Sequence, residues 1–373
     1  MTLNCLVGGT FSDTAPGTDT QDELRLLVDD LGKRTAAAGD VSRSIEQHFD
    51  SELWRNLVDT GLHRLTSNAD LAAGPIESAV VLHGLARHCA RVPAAETDVL
   101  GGWLAGAAAL DVPDDAPLTV AIAGHTDDQP GASCLSGNAS GVPWALDATI
   151  LLAVPTATDL MVTVVDHPAG VATLGGHNLA GEPRCSLTFD VPRARFAARG
   201  PALAQEVNRR GAWARCVQTI GALDTAAALT VAHARSRSQF GRPLTKFQSV
   251  QHSLALLAGE IERARAATTV AVAAVADHGF DSAQADYAVT LAKVTVGQVV
   301  PTVTTIAHQL HGAVGVTLEH DLWKSTMRAR SWIDEFGSST HHAIRLGNVA
   351  LTGHRSAGRP WDELFGNAFN RWQ

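Results

Sequence analysis

Residues Arg235 to Gln251 read R-S-R-S-Q-F-G-R-P-L-T-K-F-Q-S-V-Q, and they divide two long alanine-rich segments. Upstream, Ile220, Leu223, Ala227 and Val231 recur at three- and four-residue steps; downstream, Val250, Leu254, Leu257 and Ile261 do the same. That spacing marks one face of a helix. Between them, Phe240-Gly241 and Pro243 break the pattern, because Gly adopts dihedrals closed to other residues and Pro has no backbone N–H to donate. The stretch therefore predicts two long helices joined by a short turn carrying Arg237, Arg242, Gln239, Gln248, Phe240 and Phe247. A plain linker needs neither fixed aromatics nor a guanidinium fork. A site that grips a phosphate and a flat ring uses both.

Outward from this turn the chain changes character twice. From about Asp19 to Leu110 the pattern is helical, with Leu24, Leu27, Val28 and Leu31 on one face and Phe49, Leu53, Leu57 and Val58 on another. Ile76 to Cys89 and Thr97 to Leu110 continue it, and Asp50-Ser51 and Gly61 read as a helix start and stop. Beyond Asp111-Val112-Pro113-Asp114-Asp115 lie β-type runs at 118–123, 148–154, 160–165 and 186–189, divided by Asp, Gly, Asn and Pro clusters. Such runs suit a small barrel or sandwich. From Pro201 to about Thr352 the pattern is helical again. The expected class is α+β. An N-terminal all-α domain spans 18–112, a central β domain 113–198, a four-helix-type bundle 199–355 and a tail 356–373, with residues 1–17 expected to be poorly ordered.

Composition narrows the function classes. A chain of 373 residues has room for two or three domains, and 45% apolar with 18% charged residues is a globular balance. A net charge of −9 argues against a nucleic-acid partner, which calls for a basic face. Five scattered cysteines (Cys5, Cys89, Cys134, Cys185, Cys216) form no C-x-x-C pair and read as buried thiols in a reducing compartment. No basic n-region opens the chain, and the most apolar run, Val289 to Ile306, is interrupted by Lys293, Gln298 and Pro301. A cytoplasmic protein without a membrane span is expected.

Two motifs carry a family resemblance. R-x-x-F-G-x-P-L-x-x-F-Q, from Arg237 to Gln248, resembles the turn between the first two bundle helices of acyl-CoA dehydrogenases. The resemblance implies that Arg237, Phe240 and Gln248 contact FAD held by the dimer mate, with Gln239, Leu244 and Phe247 on the same surface. Gln309-Leu310-His311-Gly312-Ala313-Val314-Gly315 is similar to the family's Q-x-x-G-G-x-G turn, Ala313 replacing its second Gly. That likeness assigns Gln309, Leu310, Gly312, Ala313 and Gly315 to the adenosine half of the same FAD, and Thr340 to the cofactor as well. Either motif alone is weak; both in order, roughly seventy residues apart, make a strong pair. The implied fold is that of the acyl-CoA dehydrogenases.

The same resemblance exposes gaps. The family reaction needs a carboxylate against the carbon alpha to the thioester. Aligning Thr340 and Arg345 with the family's E-G-T-S turn puts Ser338 at the base position, and the alternative position on the first long helix falls on Gly211. The loop that covers the flavin corresponds to Gly124–Gly131 and lacks the family pattern, and the W-I-T-like segment beside the flavin ring is reduced to Val142-Pro143-Trp144. The half of the site on the chain itself looks degraded while the half reaching the partner looks kept. This implies a subunit without a catalytic residue of its own, paired with a homologous subunit as α2β2, the acyl-CoA (a sterol side-chain thioester, for example) lying mainly on the partner.

Three rival readings remain open: a homo-oligomeric dehydrogenase with Glu335 as displaced base, a flavin-dependent oxygenase, and a structural homologue without flavin. Bland roles compete too. Arg237 can neutralise a helix end, Gly312 and Gly315 can be a cap and turn, and Trp323, Trp332 and Trp361 read as core or interface residues. His341 and His342, adjacent on a helix, read as solvated or first-turn residues rather than ligands, and no metal is expected.

Overall fold

The computed structural model describes residue 6 and residues 19–37, 44–71, 73–127, 132–165 and 171–353. The tail 356–373, Cys5, Trp361, residues 128–131 of the loop expected over the flavin, and the N-terminal stretch apart from Leu6 lie outside them. Four helices come first: α1 (Asp19–Ala37), α2 (Ser51–Asp59), α3 (Pro75–Arg87) and, after a π-helical segment Glu96–Gly102, α4 (Trp103–Ala108). The start of α2 follows from its sequence, since the Asp50 carboxylate accepts the Leu53 N–H at 2.9 Å, satisfying one of the donors a helix start leaves open. Gly61 just beyond its end takes φ 73°.

Eight strands follow: β1 (Leu118–Ile122), β2 (His125–Asp127), β3 (Cys134–Pro143), β4 (Thr149–Pro155), β5 (Leu160–Val165), β6 (Val171–Leu174), β7 (Arg184–Pro192) and β8 (Ala197–Arg199). They form two four-stranded sheets, ordered β1-β4-β5-β8 and β2-β3-β7-β6, with β1 and β4 parallel and the other neighbours antiparallel. Strand β7 alternates buried and exposed from Cys185 to Pro192, the signature of a sheet with one face in a core. That core joins Leu135, Leu187 and Phe189 of one sheet to Ile150, Leu152 and Val154 of the other, so the unit is a sandwich. The far face of the first sheet, through Leu118, Leu151 and Val162, packs on Leu100, Leu104 and Val207.

Three long helices dominate the rest: α5 (Ala202–Ser236), α6 (Gln248–His278) and α7 (Ala283–His311), followed by α8 (Leu322–Trp332) and α9 (Ser339–Gly353). Helix α5, with 35 residues, is roughly 50 Å long. One continuous core takes Val28, Leu57 and Val81 from the first helices and Ile220, Ile261 and Val299 from the later ones. Helix α7 runs through Pro301 without ending. With the turn after it, α7 is long and apolar enough to span a membrane, yet 56% of its most apolar window is buried inside the bundle. Of the described cysteines, Cys185 and Cys216 are buried as expected while Cys89 and Cys134 are only half-buried; all four are free thiols.

Candidate functional site

The turn after α5 is built by its own backbone. Arg237 caps the helix in an extended conformation, its N–H donating to the His233 carbonyl at 2.9 Å. The Leu244 N–H donates back to the Arg237 carbonyl at 2.9 Å, and Ser238-Gln239 pairs antiparallel with Arg242-Pro243. At the tip, Phe240 and Gly241 both sit at positive φ, 51° and 76°. For glycine this is free; for a phenylalanine it is strained. Burial does not offset that strain, because Phe240 is 90% exposed. Its ring meets Phe247 edge-on at 6.1 Å, and the Arg242 guanidinium lies 4.2 Å over the Phe247 ring. Gln248 opens α6 and is exposed, as are Arg237 and Gln239. The turn thus presents a cation, amides and an aromatic edge to whatever lies outside the chain.

The second turn sits against the first. Gln309 is exposed on the last turn of α7, Leu310 is half-buried, and Gly312 ends the helix at φ 66°. Ala313 is exposed, and Gly315 is packed so that a side-chain carbon there would lie 2.7 Å from His311. His311 stacks on His233, centroids 4.5 Å apart, so the two motifs share one end of the bundle. Thr340 does not join them. The start of α9 is tied to the middle of α7 by the Ser339 hydroxyl, which donates to the Val294 carbonyl at 3.2 Å, and twelve or more helical residues put this roughly 20 Å from the Gln309 turn.

The segment before α9 holds the positions at which the resemblance would place a base. Ser338 caps α9, its hydroxyl accepting the His341 N–H at 3.2 Å. Gly211 is buried on α5, and any side chain there would meet the Phe336 ring at 2.4 Å; Phe336 itself is held at φ 56°. Glu335 is pinned. Its Oε1 accepts from Arg184 at 2.7 and 3.1 Å and its Oε2 from Arg215 at 2.6 Å. Burial alone would raise this carboxyl, but the Arg215 and Arg184 guanidiniums outweigh it and hold the pKa at about 2. A carboxylate in that state is a poor proton acceptor, which tells against Glu335 as a displaced base. The buried Lys293 ammonium anchors the segment by donating to the Ile333 and Glu335 carbonyls at 2.8 and 2.7 Å.

A cavity of about 530 Å³ opens beside this segment, lined by Arg209, Asp286, Phe336, His341, His342 and Arg345 among others. Its one acidic lining residue, Asp286, takes bonds from Arg209 at 2.9 Å and Arg345 at 2.8 Å. Burial pushes that carboxyl up, yet the two guanidiniums bring it below the usual range. His341 is exposed, but His342 is buried, correcting the solvated reading. Burial lowers the His342 pKa to about 4 although one ring nitrogen lies 3.0 Å from the Phe336 carbonyl.

Glu335 belongs to a larger network that the sequence does not announce. Arg215 also bonds Glu96 at 2.5 Å, Arg184 bonds Glu182 at 3.3 Å, and Arg328 bonds Glu182 at 3.1 Å. Trp332 donates its indole N–H to Glu182 at 3.0 Å. Three carboxylates and three guanidiniums from five segments neutralise one another, as buried charges must. The network fills the space beside Trp144, the residue that resemblance puts next to a flavin ring. The cavity left there, lined by Trp144, Glu96, Glu182, Arg184 and Arg215, is about 20 Å³, room for a single water. A space of that size admits no flavin ring. The exposed Arg237, Phe240 and Gln309 surface has no such obstruction.

Against this geometry the relatives agree in kind. The family model described as acyl-CoA dehydrogenase, C-terminal domain, matches residues 198–339. The acyl-CoA dehydrogenase FadE27 of Mycobacterium tuberculosis is 28% identical over 337 residues, covering 81% of this chain and 89% of that one. The acyl-CoA dehydrogenase IpdE2 of Mycolicibacterium smegmatis is 27% identical over 332 residues, covering 87% and 96%. In the crystal structure of the ChsE4-ChsE5 complex from Mycobacterium tuberculosis, one chain superposes with a TM-score of 0.76 at 26% identity, over 91% of this chain and 99% of that one. The sandwich set between helices, the two turns at one end of the bundle and these likenesses along most of the length agree: the chain has the acyl-CoA dehydrogenase fold, and its residues 198–339 match the C-terminal domain of that family.

Proposed function

We propose that this chain is the non-catalytic subunit of a two-component, FAD-dependent acyl-CoA dehydrogenase, completing the flavin site of a homologous subunit that carries the base. The observation that supports it most is an asymmetry. The two turns leave Arg237, Phe240, Gln248 and Gln309 exposed, whereas the space beside Trp144 is filled by the Glu335–Arg215–Glu96 network. A similar chain occurs in a solved complex named for two components, ChsE4 and ChsE5.

In this reading Arg237 would hold the phosphate oxygens of the neighbour's FAD through its planar fork. Phe240 would meet a flat ring of the cofactor, and Gln309 with the turn at Gly312 and Ala313 would hold the adenosine half. When bound, FAD supplies the hydride acceptor for α,β-dehydrogenation of the acyl-CoA. The α proton is taken by a carboxylate of the partner, since the carboxylates of this chain nearest the site, Glu335 and Asp286, are each held by two guanidiniums. The rival in which Glu335 acts as base requires that carboxylate to leave two arginines in order to accept a proton. The oxygenase and flavin-free readings have no specific observation in their favour.

The test is co-expression. Alone, the chain is expected to be colourless and inactive on acyl-CoA thioesters; with a base-bearing homologue it is expected to co-purify as a yellow, active complex. A flavin-bound, active preparation of this chain by itself would overturn the assignment.

A further inference from the structure

Where the two turns meet, three imidazoles converge. His233 comes from the last turn of α5, His311 from the last residue of α7, and His320 from the segment entering α8. Their candidate ligand atoms all lie within 4.8 Å of one another. His233 stacks on His311 at 4.5 Å, and His320 meets His311 edge-on at 4.7 Å. The three residues come from separate segments, so no helical spacing places them together by chance of periodicity.

His311 is the informative member. It is only 6% exposed, and its Nδ1 lies 2.8 Å from the Ala307 carbonyl, which fixes that nitrogen as the donor. Its Nε2 then carries a lone pair, is buried, and has no hydrogen-bond partner among the described residues. A buried polar atom left without a partner is unusual enough to need a reason. The arrangement of a carbonyl behind one nitrogen and an open lone pair on the other is how proteins orient a metal-ligating histidine.

We propose that His233, His311 and His320 form a site for a divalent transition-metal ion, of the class that imidazole nitrogens select: zinc, nickel or copper. Metal–nitrogen bonds of about 2.0–2.1 Å put ligand nitrogens roughly 3.4 Å apart in a tetrahedron, against separations of up to 4.8 Å here. His320 makes one exchange. Its Nδ1 accepts the Leu322 N–H at 3.1 Å. Ligation through Nδ1 uses that lone pair, and ligation through Nε2 moves the ring proton onto Nδ1; both release the Leu322 N–H. Three nitrogen ligands leave a fourth position for water or an external group.

The ion would join three segments that already pack in one core. His233 is the residue whose carbonyl accepts the Arg237 N–H, and His311 adjoins Gly312. A metal here would fix the Arg237 turn against the Gly312 turn. The metal site stands on its own geometry, whatever the two turns bind.

The experiment uses the full chain without an affinity tag, stripped with chelator and titrated separately with Zn²⁺, Ni²⁺ and Co²⁺. One equivalent is expected to bind, with Co²⁺ giving the visible absorption of a four-coordinate nitrogen site and Zn²⁺ raising the thermal midpoint. His320→Gln and His233→Gln are each expected to weaken Zn²⁺ binding at least tenfold while leaving the metal-free midpoint unchanged. Absence of stoichiometric binding overturns the site, and so does binding that survives both substitutions undiminished. The Co²⁺ spectrum of the unaltered chain decides the matter even if a variant folds poorly.

Discussion

Replacing Glu335 by glutamine separates the two roles this carboxylate could have. The structure gives it two guanidinium partners, Arg184 and Arg215, each with a further carboxylate of its own. Glutamine keeps the shape but removes the charge, leaving three buried cations, Arg184, Arg215 and Arg328, to share Glu96 and Glu182. Breaking one side of a buried pair costs about 3–5 kcal/mol; glutamine still accepts one bond, so about 3 kcal/mol is the expected loss at pH 7. For a chain of 373 residues that lowers the thermal midpoint by roughly 4 °C. The pH dependence follows from the folded pKa of about 2. A depressed carboxylate contributes its full stability above the unfolded value, near 4.5, and loses it as pH falls toward 2. The gap between Glu335→Gln and the unaltered chain is therefore expected to be constant from pH 7 to about 5 and to narrow below that. Thermal unfolding of the isolated chain at several pH values measures it, with turnover of the mixed complex read in parallel. A variant that keeps its midpoint and its flavin but loses turnover would refute the reasoning and make Glu335 a base.

Three further outcomes follow from single contacts. Gly211→Ala puts a carbon against the Phe336 ring at 2.4 Å; the overpacking is expected to destabilise by about 2 kcal/mol, and the double variant with Phe336→Ala should fall short of the summed single effects by more than 1 kcal/mol in a denaturant cycle (~1 kcal/mol being a typical coupling for touching residues). Phe240→Ala, at a site 90% exposed, is expected to leave the isolated chain's stability within about 0.5 kcal/mol while lowering flavin retention in the mixed complex about tenfold, the worth of one aromatic contact of ~1–1.5 kcal/mol. Lys293→Met strips the donor from the Ile333 and Glu335 carbonyls; a loss of about 2 kcal/mol and faster amide exchange across 333–337 are expected.

Much of this molecule is legible from local signals. Asp50 caps α2, Gly61 follows its end, and the run Leu160–Val165 is strand β5 residue for residue. Each is decided by neighbours in the chain. Strand β3 went unread because Cys134–Pro143 holds Ser, Gly and Asn at half its positions, and its place is set by pairing with β7. The π-helical segment Glu96–Gly102 was read as plain helix, its register shift being a tertiary matter. At the site, the turn motifs name Arg237 and Gln309, yet nothing local joins Glu96, Glu182, Arg184, Arg215 and Glu335. The only hint is Arg215 itself, a guanidinium in the apolar run Gly211–Val217 of α5, buried on every side. The His233–His311–His320 cluster is equally silent, since its members lie far apart in sequence. His342 misled for the same reason, because its burial comes from the segment Phe336–Gly337 folding over it.

The contact between Gly211 and Phe336 also constrains how this subunit could change over generations. An acidic side chain at 211 clashes unless the ring at 336 has already shrunk, and a shrunken 336 by itself opens a void against α5. Each substitution is harmful without the other, so a lineage carrying this pair must cross a fitness valley to place a carboxylate on that helix. A carboxylate at that position, once such a pair is in place, is hard to reach by single-step mutation.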